Sequence, residues 1–262
     1  MLDCHTHTSF SDDCVISMDE MIEKAILKGL SQYAVTDHYD PDYPADDTFA
    51  FDLDISAYKA ALDAAAAKYG DRIDIIKGIE LGIGHKSFSK CKKALEQGFD
   101  FVIGSFHCID YKDIWRPFHE DMSPDKATSV YYEYIYNTLK EYDDYDILGH
   151  INCLDRYLPY VPDFTPHMEE ADEILKLLVR KDKGLEINTS SFRYNMGKLT
   201  MPSLEILKMY RNAGGTIITF GSDSHHPDHI GYRYDWACRY LKEAGFSCLA
   251  VYHNRMPDFI GI

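Results

Sequence analysis

The sequence predicts an α/β barrel built on a parallel sheet, and three observations carry that expectation. Short β-rich runs alternate with longer helical patterns from one end of the chain to the other, the signature of βα units. Seven or so units follow one another without a linker or internal repeat, and the only biased tract is an Ala-rich stretch at Ala60–Ala67. One closed barrel, a single domain over residues 1–262, accounts for this better than two small domains. Nearly every expected strand also ends in a polar side chain able to ligate a metal.

The first unit pairs a strand at Leu2–His7 with a helix at Met18–Lys28, and the second pairs Gln32–Asp37 with Ser56–Tyr69. Ile73–Glu80 with Ser87–Gln97 and Phe101–His107 with Pro124–Glu141 are the third and fourth. Ile147–His150 with His167–Lys181, Gly184–Asn188 with Pro202–Asn212, and Thr216–Ser222 with Trp236–Ala244 complete seven units. A further strand is expected at Cys248–His253. Apolar periodicity separates the two classes. Gly29, Gly70, Gly98, Gly184, Gly214 and Gly245 fall just past helix ends, where a left-handed cap favours glycine.

Composition bounds the function. Hydrophobic residues make up 45% and charged residues 27%, which excludes disorder and a collagen-like fibre. With 27 Lys+Arg against 43 Asp+Glu the net charge is −16, and a chain so acidic repels nucleic-acid phosphates and anionic lipid. The N-terminus, MLDCHTHTSF, has neither a basic nor an apolar targeting region, and no apolar run approaches the ~20 residues that span a bilayer. Cysteines at 4, 14, 91, 108, 153, 238 and 248 form no CxxC pair, so reduced thiols in a cytoplasmic protein are expected. Twelve histidines are the unusual feature of this acidic chain.

Those histidines track the strand ends: His5 and His7, Asp37–His38, Glu80, His107, His150, Asn188, then Asp223 and His225. In a parallel barrel these ends share the face where active sites form. His5 and His7 alternate along one strand and project from the same side, so both can chelate one cation, although two hydrogen-bonded strand histidines would read alike. The following loop offers Asp12 and Asp13, which also read as a solvated turn before the helix. His38 is a ligand candidate and Asp37 a residue that could orient an imidazole. Glu80, in the apolar strand KGIELGI, is costly unless paired; bridging two cations would use both oxygens, and an ordinary ion pair is the competing reading. His107 in VIGSFHCID, His150 in ILGHINCLDR, and Asp223 with His225 in GSDSHHPDHIG complete the series. His85, His119, His167, His226, His229 and His253 have no such placement. Five or six histidines and three carboxylates exceed one tetrahedral zinc and suit two or three divalent cations, with zinc, manganese and iron all admitted by mixed N/O ligands.

In order, HTHTSFSDD, VTDH, GIE, GSFH, LGHIN and GSDSH resemble the signature motifs of the PHP (polymerase and histidinol phosphatase) superfamily, most closely its monofunctional histidinol-phosphatase branch. The resemblance runs from Asp3 to about Gly231. It implies a distorted (β/α)7 TIM-like barrel with a trinuclear metal centre at the C-terminal strand ends. It implies that His5, His7, Glu80 and Asp223 hold one metal and that Glu80 bridges to a second held by His107 and His150. His38, His225 and one loop carboxylate would hold the third; the branch favours Asp13, whereas other branches place the acid at Asp12. Arg156 in GHINCLDRYLPY and Arg193 in LEINTSSFRYN stand on loops of the same face, where a guanidinium can grip phosphate bidentately. A loop arginine alone reads as solvated surface, and similar arginines in the branch favour the phosphate. Arg116 is a further candidate, and Asn188 and Ser191 are expected at the rim.

The expected activity is that of a phosphoric monoester hydrolase acting on a small phosphate monoester, foremost L-histidinol phosphate, with water deprotonated between paired cations as nucleophile. Glu80, His107, Asp223 and His225 would surround the reacting centre as ligands rather than as phosphorylated groups. Tyr39, Tyr43, Tyr111, Tyr157, Tyr160 and Tyr194 offer rings that can stack on an imidazole. Competing readings are a PHP phosphoesterase for a nucleotide, sugar phosphate or phosphotyrosine, and a non-catalytic metal-binding scaffold or sensor. The absence of a basic stripe argues against the exonucleases of the superfamily.

Overall fold

The computed structural model describes residues 1–44, 49–115, 118–194, 196 and 200–262. Seven parallel strands make the central sheet. In chain order the elements begin β1 (Leu2–Asp3), α1 (Met18–Leu27), β2 (Gln32–Val35), β3 (His38–Tyr39), α2 (Ile55–Tyr69), β4 (Asp74–Gly82), α3 (Phe88–Leu95) and β5 (Phe101–Ser105). A small hairpin, β6 (Cys108–Ile109) and β7 (Lys112–Asp113), precedes α4 (Pro124–Glu141) and β8 (Ile147–Leu148). Then come α5 (Met168–Arg180), β9 (Gly184–Asn188), α6 (Leu204–Asn212), β10 (Ile218–Gly221), α7 (Tyr234–Glu243), β11 (Cys248–His253) and β12 (Met256–Gly261).

The strand order is β1-β2-β4-β5-β8-β9-β10, and β3 resumes the path of β2 along β4. Backbone bonds from Cys4 N to Phe220 O (2.9 Å), Asp223 N to His5 O (2.8 Å) and His7 N to Ser224 O (2.9 Å) join the first strand to the last and close the barrel. Asp3 reinforces this seam, its buried carboxylate accepting from Ser222 N, Ser222 Oγ and Gly231 N. Four helices start where a side chain satisfies an end-group amide: Ser17, Asp54, Ser123 and Ser203 accept from Glu20, Ala57, Lys126 and Ile206 N, respectively.

Several element ends differ from the sequence reading for identifiable reasons. The first strand loses regular pairing after Asp3 because Thr6 bonds to side chains as well as to backbone. Thr6 Oγ1 donates to Ala34 O, and Thr36 Oγ1 both accepts from Thr6 N and donates to Thr6 O. Gly29, Gly98, Gly214 and Gly245 have the expected left-handed backbone, whereas Gly70 ends α2 in the right-handed region. Cys248–His253 is a strand, but it pairs antiparallel with β12 as a hairpin outside the barrel. The sequence reading contains neither β12 nor the β6–β7 hairpin. All seven cysteines are unpaired. Among the described residues, no helix is long and apolar enough to cross a membrane.

Leu185 and Ile187 alternate along β9 with Glu186 and Asn188, and all four are buried. Gly221 on β10 allows the mouth of the barrel to be this narrow. A Cβ there would run into Glu186 Oε1 and lie 2.6 Å from His5 Cβ. Gly221→Ala is expected to destabilise the fold by about 1–3 kcal/mol through overpacking, read as a lower urea midpoint. Gly261→Ala, whose Cβ would meet nothing within 4 Å, should leave the midpoint unchanged.

Candidate metal centre

Glu80 lies near the C-terminal end of the long strand β4 at the barrel mouth and is completely buried. Its two oxygens face different sets of imidazoles. Oε2 lies 3.1 Å from His5 Nε2, 3.4 Å from His7 Nε2 and 3.1 Å from His38 Nδ1. Oε1 lies 2.9 Å from His150 Nε2 and 3.3 Å from His107 Nε2, and accepts from Ser105 Oγ. Across the barrel seam, Asp223 Oδ1 stands 3.5 Å from His7 Nε2 and 4.0 Å from His5 Nε2. Asp13 Oδ2 lies 3.0 Å from His225 Nε2 and 3.8 Å from His38 Nε2.

The chemistry of this donor set fits cations. Ligands about 2.0–2.1 Å from a tetrahedral zinc lie roughly 3.3–3.5 Å from one another, and the separations around Glu80, 2.9 to 3.4 Å, approach that spacing from below. Among the described residues, His5 Nε2, His7 Nε2, His38 Nδ1, His225 Nε2 and Glu80 Oε2 are buried without a hydrogen-bond partner. Each such atom is expensive alone; five converging on one place are satisfied together by positive ions. Three overlapping groups, His5/His7/Glu80, His38/Glu80/His107 and His7/His38/His225, each bring ligand atoms within 4.8 Å of one another. Burial, followed by neighbouring His225 and His38, holds the His7 imidazole well below its ordinary pKa and so neutral, as a ligand must be. Against its own burial, Glu80 is held well below the usual carboxylate range by His5, His38 and His107.

A ring of carboxylates behind the donors aims them. Glu186 Oε1 pairs with His5 Nδ1 at 2.6 Å, while Glu186 Oε2 accepts from His150 N and Asn188 Nδ2. Asp40 Oδ1 meets His107 Nδ1 at 2.7 Å. With Nδ1 engaged in this way, Nε2 of each ring is left with its lone pair toward Glu80. Asp37 works at one remove: it accepts from Thr8 N, Thr8 Oγ1 and Ser11 Oγ, and Ser11 Oγ lies 3.2 Å from His7 Nδ1. Glu186 and Asp40 are absent from the sequence reading. Their signals were an acid inside the buried strand LEIN and an acid two positions beyond His38.

His5, His7, Asp13, His38, Glu80, His107, His150, Asp223 and His225 all come together at the mouth. Asp12 turns away and accepts from Ala50 N and Phe51 N, anchoring the next loop instead. The arginines take different places. Arg156 Nη2 donates to Asp223 Oδ2 and Ser190 Oγ, both at 2.6 Å, and the guanidinium lies over the Tyr194 ring on the wall of a cavity of about 230 Å³. Arg193 does not line that cavity; its Nη2 donates to Ser222 O and Asp223 O, bracing Asp223 in its left-handed backbone (φ 54°). Arg116 lies outside the described residues. Asn188 bonds to Asp223 behind the mouth, and Ser191 is buried.

The same cavity touches Asp13, His38, His107, His150, Asp223 and His225. Of the tyrosines considered, Tyr43, Tyr157 and Tyr194 line it, and Tyr39, Tyr111 and Tyr160 do not. Phe51 and Trp115 add aromatic wall that the sequence reading lacked, with buried Asp113 between them accepting from Tyr43 OH. None of the six unplaced histidines reaches the cavity.

With this geometry in place, comparison with known proteins gives concordant matches. The PHP domain matches residues 3–190. A probable histidinol-phosphatase of Clostridium acetobutylicum is 30% identical over 239 residues, covering 89% of this chain and 90% of that protein. A histidinol-phosphatase of Lactococcus lactis subsp. lactis is 30% identical over 263 residues, covering 98% and 96%. The crystal structure of histidinol phosphate phosphatase from Lactococcus lactis subsp. lactis, complexed with zinc, L-histidinol and phosphate, superposes with a TM-score of 0.88 at 28% identity over 98% of both chains.

The carboxylate ring generates a test. Glu186→Gln keeps the shape but weakens the charged bond to His5, so zinc affinity is expected to fall about 10–100-fold, measured by competition with a chromophoric chelator. Unchanged affinity would remove Glu186 from any part in aiming His5.

Proposed function

This chain belongs to the PHP domain family, and we propose that it hydrolyses L-histidinol phosphate to L-histidinol and inorganic phosphate as a single metal-dependent catalytic domain. The observation that carries this reading is the buried Glu80 carboxylate divided between two sets of imidazoles beside the arginine of a small, ring-walled cavity. Zinc, manganese or iron ions, two or three in number, would be held by His5, His7, Glu80 and Asp223, by Glu80, His107 and His150, and by Asp13, His38 and His225. When bound, such ions acidify a water and offset phosphate charge.

The chain's own residues supply position and exclusion. Arg156 is fixed by Asp223 and Ser190 through one nitrogen, which leaves the remainder of its fork for the phosphate oxygens. Tyr194 supports the guanidinium from its face. Arg193 holds Asp223 by donating from Nη2 to two carbonyls, and its Nη1, buried without a partner among the described residues, remains for the second phosphate grip the resemblance implies. Tyr43, Phe51 and Trp115 offer flat apolar surface to an imidazole, and carboxylates nearby suit an ammonium group. Glu80 is enclosed by nitrogens of His5, His7, His38, His107 and His150 and has no free oxygen with which to attack phosphorus. The reading therefore has no phosphoenzyme. An acidic exterior suits a small phosphate over a nucleic acid or an anionic membrane, and seven unpaired cysteines suit a reducing cytoplasm.

Zinc-loaded protein should turn over L-histidinol phosphate in preference to p-nitrophenyl phosphate, AMP and phosphotyrosine in a phosphate-release assay. A higher kcat/KM on any of the other three would replace the substrate, and a phosphorylated enzyme trapped during turnover would sink the mechanism. His7→Ala and Glu80→Ala are expected to abolish activity and lower bound metal. Arg156→Lys should retain the metal and raise KM, because lysine keeps the charge and loses the fork.

A further inference from the structure

The three-ten turn Cys153–Arg156 has two working sides. Arg156 faces the metal centre. On the other side a second cavity, about 410 Å³, opens between α4, the loop preceding α5 and the start of α6. No residue is common to the walls of the two cavities.

Three side chains on the wall of this second cavity are more than nine-tenths buried and carry a polar atom without a hydrogen-bond partner among the described residues: Thr128 Oγ1, Asn152 Oδ1 and His167 Nε2. Asn152 has committed its Nδ2 to Asp155 Oδ2 at 2.8 Å, so what remains is an acceptor. His167 Nδ1 meets Ser129 Oγ, while Nε2 stops 3.6 Å from Asp125 Oδ1, beyond hydrogen-bond reach. Asp155 lines the cavity beside them and has no ion-pair partner among the described residues. Burial pushes its carboxyl up to about 6, with the bond from Asn152 opposing. Asp163 and Glu205 add exposed carboxylates at the rim, and among the described residues no lysine or arginine lines the cavity. Tyr132, Phe164 and Leu204 supply ring and aliphatic surface between these groups. Water would satisfy the hydroxyl and amide here but would leave the acid without a counter-charge.

We propose that this cavity binds a small organic ammonium ion with an apolar body, its charge against Asp155 and its N–H groups on Asn152 Oδ1 and Thr128 Oγ1. The acceptors select a donor-rich cation, the carboxylates exclude a phosphorylated ligand, and the rings take up the body of the molecule. Occupancy of this site bears on the turn that carries Arg156.

Isothermal titration of zinc-loaded protein with 2-phenylethylammonium, in saturating inorganic phosphate to fill the metal cavity, tests this. One saturable site per chain is expected, weakened about tenfold by Asp155→Asn, the loss of one charge-assisted contact. Val161→Trp, which fills the cavity from a half-buried loop position, should abolish binding and leaves the buried wall untouched. Absence of saturable heat from the unmodified protein would show that water alone occupies the cavity and would overturn the proposal. So would equal affinity in both variants, or heat that appears only when phosphate is withheld.

Discussion

The architecture of this molecule turns on a single buried charge. Glu80 sits at zero exposure among five histidines, where an unpaired carboxylate would be untenable. Its strand is the longest in the barrel, nine residues from Asp74 to Gly82, and this length carries the carboxylate to the point where the other strand ends converge. Other strands of the barrel can be as short as two residues because their task is to deliver the one or two imidazoles that follow them. Donor geometry, rather than regular pairing, therefore sets where the strands stop. Thr6 and Thr36 carry the transition by adding hydroxyl bonds to the backbone bond from Thr36 N to Thr6 O, just as the chain turns His5 and His7 inward.

Around that charge lies a second tier of acids whose role is orientation. Glu186, Asp40 and Asp37 are all buried, and each engages a ring nitrogen or the group that touches one. This places several negative charges near one another, a poor arrangement for a protein without cations and a good one for a protein with them. The surface acidity has a different consequence: it is screened by salt and solvent and governs which molecules approach. One count of −16 thus describes two populations of carboxylates with opposite physics.

What could be read from the chain follows the reach of each signal. The period-two pair His5/His7 and the run of strand-end histidines were legible because a single strand's alternation decides which face a residue takes. Glu186 shares that alternation with Asn188, yet an isolated acid in a strand does not reveal that its partner is His5, 181 positions away. Asp12 and Asp13 differ only in which loop claims them, a tertiary decision made by the amides of Ala50 and Phe51. The arginines were separable only in three dimensions: Arg156 lies on the cavity wall, whereas Arg193 stands behind it with Nη2 on carbonyls at the end of β10. Strand β12 escaped for a simpler reason, since Met256–Gly261 is largely exposed and lacks the apolar alternation of the buried strands.

The seam that closes the barrel also sets the order in which this protein can come into being. His5 and His7 are made long before the partners that face them, since Asp3 and Ser222, which lock the seam, are 219 positions apart. Until the last parallel strand emerges, the first has a neighbour on one side only and its histidines lack Asp223 opposite them. The entropy of closing so long a loop grows only slowly with its length, so the cost lies in waiting rather than in stability. A nascent chain must carry these donors unassembled until β10 has been made, and the centre matures in one late step when the first and last parallel strands meet.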